Sequence, residues 1–112
     1  MDSIRQSKMS RLLQKELASF FQTESRNLFH VKMITVTVVR VSPDLGLAKV
    51  YLSIFPVQNN DNIIEQITAH TGLIRNALGR KIRHQVRIIP ELAFYIDDSI
   101  DYMNRINELL GQ

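Results

Sequence analysis

Apolar residues recur at helical spacing over the first part of the chain. The i, i+3, i+4 rhythm predicts an amphipathic helix that Asp2 or Ser3 can cap and that runs to about Gln22. Its apolar positions are Met9, Leu12, Leu13, Leu17, Phe20 and Phe21. Beside this stripe lie the basic residues Arg5, Lys8, Arg11 and Lys15. These four fall within about one-third of the helix circumference, so the helix has a basic face next to its core face.

Two later stretches, "VKMITVTVVRVS" and "LGLAKVYLSIFPV", alternate apolar and polar residues with a period of two. Between them, "SPDLG" supplies the turn formers Pro43, Asp44 and Gly46. This pattern predicts a β-hairpin with one face on the core. The residues expected to face the core are Ile34, Val36 and Val38 in the first strand and Ala48, Val50, Leu52 and Ile54 in the second.

Helical spacing returns after the hairpin and is interrupted once. One apolar stripe contains Ile63, Ile64 and Ile67, and another contains Leu73, Ile74, Ala77, Leu78 and Ile82. Between the two stripes stand His70, Thr71 and Gly72. Glycine weakens a helix by about 1 kcal/mol relative to alanine. We therefore expect two helices, or one kinked helix, joined at these three residues.

The last two elements predicted are a strand and a helix. "QVRIIPELAFYID" alternates like a strand, and Pro90 within it indicates an edge strand or a bulge. "DDSIDYMNRINELLGQ" predicts a short C-terminal helix. The whole order predicts one α+β domain over residues 1–112, with a three-stranded sheet that carries its helices on one face.

Composition narrows the class of protein. The chain has 112 residues and no cysteine, which excludes disulfides and thiolate chemistry and suits a reducing compartment. Its apolar runs are strand-sized, so neither a signal peptide nor a membrane span is expected. We predict a cytoplasmic protein with no membrane partner.

Positive charge is concentrated in one segment, although the net charge is only +3. From Arg75 to Arg87 there are five basic residues and no acidic one. Such clusters attract the phosphates of nucleic acids. On a helical wheel we place Arg75, Arg80 and Arg83 opposite the apolar stripe, and Lys81 nearer to it. The predicted RNA-binding residues are therefore Arg5, Lys8, Arg11, Lys15, Arg75, Arg80, Lys81, Arg83 and Arg87.

Candidate catalytic chemistry is sparse. The three histidines are scattered, and no nucleophile, P-loop or zinc-protease motif is present, so we predict no enzyme, no metal and no cofactor. Asp97, Asp98 and Asp101 form one acidic cluster. Capping of the last helix explains it, and a metal-dependent hydrolase or nuclease is the alternative. A scaffold whose exposed sheet edge binds a protein partner is a further alternative.

Three segments in combination resemble the bacterial ribosome-binding factor A family. They are "RVSPDLGLAKVYLSIF" in the hairpin, "GLIRNALGRKIRHQVRIIPEL" from the basic helix into the last strand, and "FYIDDS" followed by "RINELL". The resemblance runs from the first helix to about the end of the chain. It implies a K-homology-like fold of type II, in which a kink with an Ala-x-Gly pattern replaces the usual GxxG loop. Here that kink corresponds to His70, Thr71 and Gly72.

The resemblance also implies a function and a partner. Members of the family bind the free small (30S) ribosomal subunit and assist its late maturation, including 5′-end processing of 16S rRNA, above all in the cold. They are not enzymes. On this basis we expect a monomeric ribosome assembly factor whose partners are the small subunit and its 16S rRNA. The alternative is a general KH-type RNA-binding module that acts on another RNA.

Overall fold

A computed structural model describes residues 3–55 and 60–97 of the chain. Its elements follow the order α-β-β-α-α-β, as the sequence predicts. They are α1 (Ile4–Glu24), β1 (Met33–Val41), β2 (Leu47–Phe55), α2 (Asn60–Ala69), α3 (Thr71–Ile82) and β3 (Glu91–Ile96). The C-terminal helix expected after β3 lies outside the described residues.

The three strands form one mixed sheet in the order β1-β2-β3. β1 and β2 are antiparallel and joined by a short turn, whereas β3 pairs parallel to β2, starting where Leu47 meets Glu91. The parallel pairing requires a crossover, which α2 and α3 supply. This confirms the predicted α+β class and the three-stranded sheet.

All three helices contribute to a single apolar core on one face of the sheet. Leu13, Leu17 and Phe21 of α1 are fully buried, and Phe21 meets Phe94 of β3 edge to face at 6.1 Å between ring centroids. From the other helices, the core takes Ile63, Ile67, Ile74, Leu78 and Ile82. The opposite face of the sheet carries exposed side chains, so the prediction of helices on one face is confirmed.

A capping box fixes the start of α1. The Ser3 hydroxyl accepts from the backbone N–H of Gln6 at 3.1 Å, and the Gln6 side chain accepts from the N–H of Ser3 at 2.8 Å. The Gln6 amide also donates to the carbonyl of Val41 at 2.9 Å. One buried glutamine therefore both caps α1 and binds it to the end of β1.

The prediction that Val38 faces the core is wrong, because β1 contains a bulge. Val36 pairs with Leu52 and Val38 pairs with Tyr51, so Thr37 is an extra residue with no partner of its own. A bulge shifts the alternation by one position. Val38 consequently lies on the exposed face, and the core receives Val39 and Val41 instead. In β2, all four residues predicted to be buried are buried.

The interruption between α2 and α3 falls at His70. This residue has φ −98° and ψ 14°, whereas Thr71 and Gly72 belong to the first turn of α3. His70 Nδ1 lies 2.7 Å from the Gln66 carbonyl, and the Thr71 hydroxyl donates to Thr68 at 2.6 Å. No described glycine has a positive φ, so the bend does not depend on glycine's conformational freedom.

The last strand is shorter than the sequence alternation suggests. Residues 83–90 form a turn and an irregular segment, and β3 begins at Glu91, directly after the buried Pro90. Two physical reasons coincide here. Proline has no N–H that could donate to a neighbouring strand. The partner strand β2 begins only at Leu47, and the Glu91 N–H bonds the carbonyl of Gly46, the turn residue just before it.

Candidate nucleic-acid interface

The basic face predicted for α1 is exposed along its length. Arg5, Lys8, Arg11 and Lys15 are all open to solvent, while the core stripe of the same helix is buried. The arrangement follows from the amphipathic spacing. It gives the helix a row of cations that needs no rearrangement to meet a polyanion.

A groove of about 650 Å³ brings two distant parts of the chain together. Arg5 and Lys8 of α1 line one part of it, and Arg87 from the segment after α3 lines another. The hairpin turn contributes Asp44 and Gly46 to the same groove. The structure thus places three of the nine predicted cations around one concave surface.

Asp44 is the carboxylate that lines this groove, and two groups of the hairpin turn donate hydrogen bonds to it. Its Oδ1 accepts from the Ser42 hydroxyl at 2.6 Å and from the Gly46 N–H at 3.0 Å. Both bonds favour the ionised form, so the Ser42 bond first and the Gly46 bond second lower the pKa of Asp44. Because both donors bond Oδ1, the hairpin turn fixes the position of this carboxylate at the groove.

Arg75 contradicts the predicted wheel, because its guanidinium turns inward. One Nη donates to the Ile89 carbonyl at 2.8 Å, and Nε is buried without a partner among the described residues. Arg75 precedes the buried Ile82 by seven residues, which places both within about 20° on the same helix face. That spacing was the overlooked signal. Arg75 therefore anchors the segment that carries Arg87.

The remaining predicted cations, in α3 and at its C-cap Arg83, divide into two groups. Arg80 and Arg83 are exposed and line neither the groove of Arg87 nor a second, smaller groove. Lys81 lies at the edge of this smaller groove of about 250 Å³ between α1 and α3, with Ala77 and Leu78 beside it. Its position near the apolar stripe agrees with the sequence prediction. The structure does not bring these three residues to the groove of Arg87.

Potential metal ligands are not clustered in the described part of the chain. Within residues 3–55 and 60–97, no three His, Asp or Glu side chains are grouped so that they could hold a metal ion. Asp97 accepts a 2.6 Å bond from the Thr37 hydroxyl, and Asp98 and Asp101 lie outside the described residues. None of the described helices combines the length and apolar character needed to cross a membrane.

Relatives of the chain share one name. A protein from Cytophaga hutchinsonii called ribosome-binding factor A is 49% identical over 112 residues, which are 100% of this chain and 84% of that relative. A protein of the same name from Flavobacterium psychrophilum is 42% identical, over 99% of this chain and 86% of that relative. Another, from Chlorobaculum tepidum, is 43% identical, over 96% of this chain and 89% of that relative.

Solved structures share the fold at lower identity. The crystal structure of ribosome-binding factor A from Thermus thermophilus has a TM-score of 0.67 at 24% identity, over 81% of this chain and 94% of that one. A homology model of the Thermus thermophilus protein, fitted into an electron cryomicroscopy map of its complex with the 30S subunit, has a TM-score of 0.65 at 22% identity, over 88% and 97%. The family model for ribosome-binding factor A matches residues 5–110. The chain therefore belongs to the ribosome-binding factor A family.

Proposed function

We propose that this protein binds the free small (30S) ribosomal subunit in the cytoplasm as a monomer, through 16S rRNA. There it assists late maturation, including 5′-end processing of the rRNA, with the greatest effect in the cold. Two findings support the proposal: membership of the family over residues 5–110, and the 30S complex formed by the structurally similar Thermus thermophilus protein.

The convergence of Arg5, Lys8 and Arg87 around one groove is the observation that carries the RNA-binding part. Three cations on a concave surface can neutralise successive phosphates and release their counterions. Arg87 reaches this position because Arg75 bonds the Ile89 carbonyl two residues further on. We therefore assign Arg75 to positioning, and phosphate contact to the exposed cations Arg5, Lys8 and Arg87, with Arg11 and Lys15 extending the row.

A charge reversal in the groove tests this assignment. We expect Arg87→Glu to weaken binding to purified 30S subunits and to reduce the slope of log K against log salt by about 1. Arg26→Glu is the matched control, because Arg26 is also exposed and lies in the turn after α1, outside both grooves. If both variants change the slope equally, net charge rather than the groove governs binding.

The proposed role in maturation of the small subunit is tested in cells. In sucrose gradients, the protein should sediment with free small subunits, and its depletion should lead to accumulation of 16S rRNA with an unprocessed 5′ end, more at low temperature. Comigration with mature ribosomes alone would contradict the proposal. Crosslinks spread over many transcripts without a ribosomal peak would instead indicate a general RNA-binding module.

A further inference from the structure

A second surface with nucleic-acid-binding chemistry lies on the side of the sheet that the helices leave uncovered. We call it the open face and define it by six residues in two rows across the strands. One row runs Val38, Tyr51, Tyr95, and the next runs Arg40, Lys49, Ala93. The groove of Arg87 involves none of them, so the open face is separate from the surface assigned above.

The first row is an aromatic platform. Tyr51 and Tyr95 stack with ring centroids 5.4 Å apart and an interplanar angle of 28°. Tyr95 is 42% exposed and Val38 is 36% exposed, so the row presents apolar and aromatic surface to solvent. An aromatic pair on an uncovered sheet is the arrangement on which unstacked bases of single strands can stack.

The second row supplies positive charge directly beside the platform. Arg40 pairs across the strands with Lys49, and both are exposed. Neither has an ion-pair partner among residues 3–55 and 60–97. Like charges directly opposite each other destabilise a sheet, so the repulsion within this pair is unfavourable for the fold. A phosphate placed between the two side chains would relieve the repulsion.

The bulge at Thr37 places Val38 and Arg40 of β1 on the open face. Without a bulge, the alternation that buries Ile34 and Val36 would also turn Val38 and Arg40 toward the core. The side chains of Gln14 and Thr37 make hydrogen bonds at the bulge, one of them from the Thr37 hydroxyl to the Tyr51 carbonyl at 3.2 Å. The Gln14 amide donates to the carbonyls of Val36 and Thr37 at 3.4 and 3.3 Å, and the Thr37 hydroxyl bonds Asp97 at 2.6 Å.

Two carboxylates border the open face. Asp97, after the end of β3, accepts the Thr37 bond, and Glu91 lies at the start of β3, opposite Leu47 rather than opposite a cation. In the register of the sheet, Arg40 lies opposite Lys49, and Lys49 lies opposite Ala93, so no acidic residue is in register with either cation. The positive row and the aromatic row therefore remain adjacent and complementary to a phosphate and its base.

We propose that the open face binds a single-stranded segment of RNA, with one or two bases stacked on Tyr95 and Tyr51 and the adjoining phosphate held by Arg40 and Lys49. The ligand class follows from the surface. Duplex RNA keeps its bases stacked internally and has no free face for the tyrosines, whereas a single strand does. The protein would then contact RNA on both sides of its sheet.

Tyrosine fluorescence allows a direct test, because the chain has no tryptophan and only three tyrosines. In a Tyr102→Phe background, the emission comes from Tyr51 and Tyr95 alone. Titration with a short single-stranded oligoadenylate should quench it, whereas a duplex RNA should not. We expect Tyr95→Ala to weaken binding about fivefold or more, and Tyr95→Phe, which keeps the ring, to stay within about twofold.

A charge variant separates this surface from the groove. Lys49→Ala should reduce the salt slope for oligoadenylate by about 0.7, while Arg87→Glu should leave quenching unchanged. Absence of quenching, or equal affinity of Tyr95→Ala and Tyr95→Phe, would overturn the proposal. So would self-association that Tyr95→Ala abolishes in sedimentation, because it would assign the open face to a second copy of the chain. Binding to 30S subunits through Arg87 is measured independently of each outcome.

Discussion

β1 and β2 are neighbouring strands of nine residues each, yet only β2 keeps a single alternation of buried and exposed residues along its whole length. β2 has a strand on both sides, and its buried residues Ala48, Val50, Leu52 and Ile54 follow one phase. β1 lies at an edge, and its phase changes at Thr37.

The difference shows which residues bear on the alternation of buried and exposed positions in each strand. The phase of β2 depends on side chains within β2, because each turns toward or away from the same core. The phase of β1 changes at a bulge that residues distant in sequence contact. Gln14 of α1 bonds the carbonyls at the bulge, and Asp97 after β3 bonds Thr37. An edge strand can be bent by such contacts because only one of its sides is committed to a partner strand.

The largest expected effect comes from truncating the buried one of the two valines that follow the bulge. Val39→Ala should lower the free energy of unfolding by about 2 kcal/mol, because Val39 is buried and a cavity would remain. Val38→Ala should cost less than about 0.5 kcal/mol, because that side chain is on the open face. Urea denaturation of both variants measures the two values.

Val36→Ala is the control for this pair, because Val36 is buried before the bulge and should behave like Val39. The three substitutions are chemically identical and lie within four positions. Should Val38→Ala destabilise as much as Val36→Ala, β1 would have one continuous phase and the contrast with β2 would fail.

A smaller effect is expected from removing the glutamine at the bulge. Gln14→Ala should lower the free energy of unfolding by about 0.5–1 kcal/mol, since two long bonds to the carbonyls of Val36 and Thr37 are lost. Amide hydrogen exchange of β1 should increase near Thr37 and stay unchanged in β2. Gln22→Ala, an exposed glutamine of the same helix, should leave both measurements unaltered.

The smallest effect concerns the turn that joins the two strands. The Ser42 and Gly46 bonds lower the pKa of Asp44 below 3.8, so the carboxylate stabilises the fold fully above that pH. The contribution decreases as pH falls through the lower pKa of the folded state. The stability difference between wild type and Asp44→Asn should therefore shrink between about pH 5 and about pH 3. A difference that grows on acidification would mean that the turn does not favour the ionised form.

The sequence predicts the features that depend on neighbouring residues. These include the buried stripe of α1, the single phase of β2 and the place of Lys81 beside the apolar residues of α3. Features that depend on distant contacts were missed. The inward turn of Arg75 requires the Ile89 carbonyl, and the exposure of Val38 requires a bulge supported from α1. The seven-residue spacing from Arg75 to Ile82 was available but was outweighed by the charge of arginine.

The parallel pairing of β3 has a consequence for the order of folding. β1 and β2 can pair through a short turn, whereas Glu91 can pair with Leu47 only after α2 and α3 have formed the crossover between β2 and β3. Contacts between residues so distant in sequence close slowly, because the entropy of a long loop is lost first. We therefore expect the hairpin to form early and β3 to join last. Tyr95 then reaches Tyr51 only in the final step, so a chain still emerging from synthesis carries the cations of α1 long before it has a surface on which bases can stack.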